Sequence, residues 1–409
     1  MKCRHCTQAL HLSFLDLGSA PPSNAYLTTA SVHAPEVWYP LRLLACQNCW
    51  LVQTEDHAGR DALFTDDYAY FSSFSSSWLA HAENYVAAMQ LRFGLGTHSQ
   101  VVEVASNDGY LLQYVQAAGV PCYGIEPTAS TAAAAKAKGI DVVERFFGIE
   151  LAEQLARSGK QADLMVANNV LAHVPDINDF VAGFTHLLKP RGIATFEFPH
   201  LLRMVQGCQF DTAYHEHYSY LSLTAVHRIF AASGLQVFDV QELPTHGGSL
   251  RVFAQRADIG PQPVTPAVQQ MLVAETAAGM QTVDFYSQFG PQAKRIAWEL
   301  LSFLITSAQR GDRVAAYGAA AKGNTLLNFA GVRSHLLPYV VDKNPAKQGQ
   351  YLPGSRIPVV DEAHLRMHRP SHVLILPWNL KDEVMAQLGY VREWGGQFVV
   401  AVPGLMIHP

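Results

Sequence analysis

The chain has no apolar run long enough to cross a bilayer and no basic excess to draw it to nucleic acid or an anionic membrane. Its 29 Lys and Arg face 34 Asp and Glu, for a net charge of −5 at pH 7. Charge is sparse altogether, at 15% of residues against 49% hydrophobic, which excludes bulk disorder and supports a large core. The opening MKCRHCTQAL lacks the apolar centre of a signal peptide. A cytoplasmic protein, binding neither nucleic acid nor membrane, is therefore expected, with a monomer preferred. Its 409 residues are too many for one ordinary domain and predict two or three.

Cysteine is also scarce, and four of the six fall in two C-x-x-C pairs, Cys3/Cys6 and Cys46/Cys49. In a reducing compartment such pairs signal a metal site rather than disulfides. Each intervening turn aims two thiolates inward, and two pairs complete the tetrahedral shell that zinc favours. Four protein ligands leave no open position, so this zinc is expected to be structural. His5 is read as a bystander, and Cys122 and Cys208 as core residues.

Residues 1–65 are predicted to form this small zinc-binding unit, with irregular structure and few periodic stretches. A Ser-rich entry followed by a helical pattern then leads to an alternation of strands and helices beginning at VVEVA. That alternation predicts an α/β domain with a parallel sheet covered on both faces, over residues 66–258. Within it INDFVAGFTHLLKPRG reads as one helix, and LQVFDVQEL and SLRVFAQR as an antiparallel hairpin closing the sheet. A proline-rich linker, helices interrupted near FGPQ and a second Rossmann-like α/β unit fill residues 259–409.

The turn in VVEVASNDGYLL, residues 101–112, has one glycine where dinucleotide-binding loops carry two or three. Glu103 ends a strand, Gly109 opens a helix, and Asn107 and Asp108 lie between. Glu126 at the next strand end is suited to hold both hydroxyls of a ribose. The combination fits an adenosine-containing cofactor, whereas a pyrophosphate needs closer backbone approach than Ala105 and Asn107 allow. A plain strand–helix corner is the rival reading of this loop on its own.

The strand order with its end hairpin resembles the class I S-adenosylmethionine-dependent methyltransferases. More specifically, EVASNDGYLL, GIEPT, NNVLAHVPD, YHEHYSYLS, HGGSLRV, YGAAAKGNTLLN and DKNPAKQGQYLPGSRIPV together resemble the nucleotide-sugar C-methyltransferases, in particular those that methylate C-3 of a deoxysugar. The resemblance covers almost the whole chain. It implies a zinc-bearing N-terminal domain, a central methyltransferase domain and a C-terminal Rossmann-like domain that helps hold the sugar nucleotide. The SNDG loop becomes a cofactor loop of the family's own kind, with Glu103, Ser106, Asn107, Asp108, Gly109, Glu126, Pro127 and Asn168 toward S-adenosylmethionine. Asn168 and its neighbour Asn169 could also simply finish a turn.

The implied reaction methylates a carbon, with C-3 the position preferred, beside the C-4 ketone of a dTDP- or GDP-linked 4-keto-deoxysugar. A base must remove the proton next to the ketone to give an enolate, and His217 of YHEHYSY is the implied base. Tyr214 and Glu216 would position it or the sugar, and His173 would contact sugar oxygens or else cap the sheet edge. Tyr68 is implied in the site in preference to Tyr70, and His215 as orienting the segment. THGGSLRV offers Gly248, Ser249 and Arg251 to the substrate, with Arg251 suited to a phosphate; a bare hairpin turn is the rival. Lys322 is implied in holding the diphosphate. The loop AAYGAAAKG followed by Asp342 supports a competing class, a nicotinamide-dependent oxidoreductase, although the middle glycine of that fingerprint is absent. A non-catalytic zinc module is the third possibility.

Overall fold

The computed structural model describes residues 1–57 and 71–409 and builds three sheets from them. Strands β1 (Leu12–Ala20), β2 (Tyr39–Ala45) and β3 (Val52–Thr54) form an antiparallel meander in the N-terminal unit. This unit is more regular than its sequence suggests: Phe14, Leu15 and Leu17 of β1 and Leu41, Leu43 and Ala45 of β2 supply its buried face.

The central sheet contains β4 (Val101–Val104), β5 (Cys122–Ile125), β6 (Val142–Val143), β7 (Ala162–Asn168) and β8 (Leu188–Pro199), all parallel. A two-residue strand, β9 (Ser219–Tyr220), leaves this domain and pairs with β3. The hairpin of β10 (Leu235–Leu243) and β11 (Ser249–Arg256) then docks antiparallel on β8, giving the order β10-β11-β8-β7-β4-β5-β6. Consecutive buried positions in β4 and β7 follow from a sheet packed on both faces. The helix expected to run through KPRG stops at Leu187, and β8 begins at Leu188. Pro190 explains the earlier stop, because its ring disfavours helical geometry in the preceding residue.

A six-stranded C-terminal sheet follows: β12 (Val314–Tyr317), β13 (Val340–Val341), β14 (Val359–Val360), β15 (His372–Ile375), β16 (Gln397–Val400) and antiparallel β17 (Met406–His408). The helix Pro266–Ala277, read from sequence with this last unit, packs instead on the central sheet. Its Val268 and Met271 join that core, and its buried Glu275 accepts from the backbone N–H groups of Leu223 and Thr224. The helix Phe289–Arg310 links the N-terminal meander to the C-terminal sheet through one shared core. Among the described residues no helix is long and apolar enough to cross a membrane.

Candidate active site

From β4 the chain moves outward to β5 and β6, then returns to β7 on the other side of β4. Such a reversal opens a crevice at the carboxyl ends of β4 and β7. A cleft of about 440 Å³ lies there and extends to the C-terminal sheet. Ala105 and Asn107 take left-handed backbone angles after β4 (φ 57° and 50°), as does Asn169 after β7 (φ 53°). Gly124 lets the first of these turns press against β5, since a Cβ there would lie 2.2 Å from Ser106 Oγ.

Asn107, Glu126, Pro127 and Asn168 line the cleft. Glu126 accepts from the backbone N–H groups of Asn107 and Thr128, both at 2.9 Å, and retains lone pairs for further donors. The buried Oδ1 atoms of Asn168 and Asn169 have no hydrogen-bond partner among the described residues, so the cleft offers acceptors to a ligand rich in N–H or O–H. The other four predicted cofactor residues stand behind the wall. Glu103 is buried beside Tyr110, and burial pushes its carboxyl well above the ordinary range. Ser106 packs on Gly124, Gly109 packs on Ala135 and Ile140, and Asp108 turns to Lys138 and the Ser73 N–H.

His217, Tyr214, Glu216 and His173 meet on one side of the same cleft. The Thr212 carbonyl, which can only accept, lies 3.2 Å from His217 Nδ1 and therefore fixes the proton there. Nε2 is left as the acceptor, 2.7 Å from the Tyr214 hydroxyl. Burial, followed by the proximity of His173, holds the His217 imidazole well below its usual pKa, so the ring is neutral at physiological pH. His173 sits edge-on to it, with ring centroids 4.5 Å apart; burial lowers its pKa to about 4, and it donates to the Glu216 carbonyl. His215 turns away and donates to the Tyr39 carbonyl at 3.3 Å. Tyr68 and Tyr70 lie outside the described residues.

The N-terminal unit fixes the 214–220 segment. Thr54 of β3 donates its hydroxyl to the His217 carbonyl and its N–H to the Tyr218 carbonyl, and Val52 and Gln53 pair with Tyr220 and Ser219 of β9. Asn24 reaches into the cleft and donates to Glu216 Oε1 at 2.7 Å. Across the cleft, Lys322 lies over the Trp378 ring at 4.5 Å and donates to Asn379 Oδ1 at 2.7 Å. Asp211 accepts from Trp378 Nε1 at 2.7 Å, and burial raises its carboxyl to about 6.

The remaining predicted substrate residues are not brought to the cleft. Arg251, expected to meet a phosphate, is buried and ion-paired with Glu197 at 2.8 Å, with Tyr85 beneath its guanidinium. Ser249 bonds back to the Thr245 carbonyl, and Gly248 packs against Arg203. Trp78, Phe147, Asn24, His246 and Lys347 line the cleft without having been singled out from sequence. The aromatic pair following β6 in VVERFF was the legible signal for Phe147; nothing in local spacing marked Asn24.

The four cysteine sulfurs converge within 4.8 Å of one another, with Cys3–Cys49 and Cys6–Cys46 each at 3.5 Å. Tetrahedral zinc with Zn–S bonds of ~2.3 Å needs sulfurs about 3.8 Å apart, so the donor set fits that ion. His5 stays outside the group, 2.8 Å from Asn178 Oδ1. Gln53 donates to Cys3 Sγ and accepts from the Arg4 N–H, connecting the metal cluster to β3.

Comparison with known proteins agrees with this arrangement. Residues 3–64 match a family model described as "Putative zinc binding domain", residues 78–240 "Methyltransferase domain" and residues 244–403 "C-methyltransferase C-terminal domain". The chain is 33% identical over 402 residues to C-methyltransferase NovU of Streptomyces niveus, covering 98% of this chain and 95% of that protein. Among solved structures, the S-adenosylhomocysteine complex of 1,6-didemethyltoxoflavin-N1-methyltransferase from Burkholderia thailandensis is 16% identical, covering 52% of this chain and 97% of that one, with a TM-score of 0.38. Magnesium protoporphyrin IX methyltransferase from Synechocystis PCC 6803 is 16% identical, covering 44% and 83%, with a TM-score of 0.36. The chain belongs to the C-methyltransferase family. It is an S-adenosylmethionine-dependent enzyme with a zinc-binding domain, and the nicotinamide-dependent and non-catalytic readings are set aside.

Proposed function

We propose that the enzyme methylates C-3 of a dTDP- or GDP-linked 4-keto-deoxysugar, with His217 as the base. The observation that carries this reading is the joining, in one cleft, of the Asn107–Glu126–Asn168 wall, the Tyr214–His217 pair and the Lys322 cation. When bound, S-adenosylmethionine supplies an electrophilic methyl carbon on a sulfonium. Glu126 is suited to the ribose hydroxyls, and the unpartnered Asn168 and Asn169 oxygens to N–H donors such as an ammonium.

The proton next to the ketone passes to His217 Nε2, directly or through the Tyr214 hydroxyl. The C–H electron pair becomes the enolate, and the ring becomes an imidazolium whose Nδ1–H stays on the Thr212 carbonyl. Lys322 adds positive charge across the cleft for the developing oxyanion or the diphosphate. Thr54 and Asn24 hold His217 and Glu216 in register, so alignment of the reacting carbons is the protein's main contribution.

The test is solvent exchange. With S-adenosylhomocysteine in D2O, the wild type should exchange the C-3 proton of a dTDP- or GDP-linked 4-keto-6-deoxy sugar faster than buffer does, and His217→Asn should not. Exchange by the variant at the wild-type rate would remove His217 from the base role.

A further inference from the structure

Resting on that reading, we propose that His246 is a substrate-contacting residue, its imidazole hydrogen-bonding an oxygen of the sugar and thereby setting affinity for the sugar nucleotide. His246 lies in the turn between β10 and β11, at φ 55° and ψ 20°, followed by Gly247 at φ 90° and Gly248 at φ 117°. A left-handed backbone is strained for a non-glycine residue and free for glycine. The turn is packed in place: a Cβ on Gly247 would lie 2.6 Å from Trp378 and 2.7 Å from Gln209 Nε2.

The result is an imidazole on the cleft wall, edge-on to Trp78 at 5.2 Å. Its Nδ1 is buried with no hydrogen-bond partner among the described residues. An orphaned buried nitrogen is costly unless a ligand completes it. Burial, then the nearby Lys322 charge, lowers the His246 pKa to about 4, so the ring meets its ligand as a neutral imidazole, with one nitrogen to donate and the other to accept. Arg251 and Ser249 of the same hairpin are already engaged within the protein, which leaves His246 as the hairpin's polar side chain on the cleft.

His246→Gly separates contact from folding, because glycine accepts this backbone freely. The variant should melt no lower than wild type and bind S-adenosylhomocysteine within about twofold. Its KM for the dTDP- or GDP-linked 4-keto-6-deoxy sugar should rise roughly tenfold, the loss expected for one buried hydrogen bond. His246→Asn, which also tolerates the left-handed region, should recover part of that loss. Unchanged KM in His246→Gly, or a lowered melting temperature, would overturn the assignment. A wild-type enzyme that turns over neither sugar would instead overturn the proposed substrate, and this assignment with it.

Discussion

Replacing Arg251 by methionine separates a structural arginine from a phosphate ligand. The guanidinium meets Glu197 at 2.8 Å, with side-chain exposures of 7% and 0%. Burial alone would push the Glu197 carboxyl up; the hydrogen bond from His81 and the Arg251 charge outweigh it and hold the group below the ordinary carboxylate range. Methionine leaves that carboxylate buried, with His81 and Thr245 as its remaining partners. Breaking a buried pair from one side costs about 3–5 kcal/mol. At roughly 2–4 °C per kcal/mol for a domain of this size, the melting temperature should fall by about 6–20 °C. Adding Glu197→Gln should restore much of that loss, because the uncompensated charge is then gone. The assay is thermal unfolding of the zinc-loaded enzyme with S-adenosylhomocysteine present. If Arg251→Met melts within about 2 °C of wild type while KM for the sugar nucleotide rises, the ion pair is unimportant and a phosphate role stands.

Four further outcomes follow from the geometry. Because burial depresses the His217 pKa, kcat/KM should run flat through pH 6.5, with its acid limb well below that value. His173 and His246 titrate near 4 in the folded chain and near 6.5 unfolded. The unfolded state therefore binds more protons between these values, and denaturant titrations should show stability falling as pH drops from about 6.5 toward 4. Removing zinc with a chelator should abolish turnover while S-adenosylhomocysteine binding, measured by calorimetry, survives, because the metal cluster supports β3 and β3 holds the His217 backbone. Gly124→Ala should weaken S-adenosylhomocysteine binding at least tenfold, since the new Cβ displaces Ser106 and the turn bearing Asn107; a neutral result would show that the turn can shift without cost.

The fold class was legible because its signals are local. Buried runs such as VVEV alternate with capped helices, the LQVFDVQEL–SLRVFAQR hairpin ends the sheet, and two C-x-x-C pairs mark the metal. The N-terminal meander was not, because its strands carry bulges and β3 spans only three residues. Motif reading also found which loops build the cleft, but not which of their side chains face it. Ser106 and Asp108 belong to the same turn as Asn107, yet only Asn107 lines the wall, because left-handed angles at Ala105 and Asn107 turn the residues between and after them inward. Arg251 read as available because its partner, Glu197, is distant in sequence and adjacent only across the β8–β11 ladder. Asn24 and Thr54 were invisible for the same reason: their roles come from long-range pairing with the 214–220 segment.

The most direct test is to supply S-adenosylmethionine with a carbon-13 methyl group together with dTDP- and GDP-linked 4-keto-6-deoxy sugars, and to locate the label by NMR. The expected result is a new methyl on C-3, correlated with the C-4 carbonyl carbon, in one of the two products. A methyl on oxygen or nitrogen, or no transfer to either sugar, would contradict it.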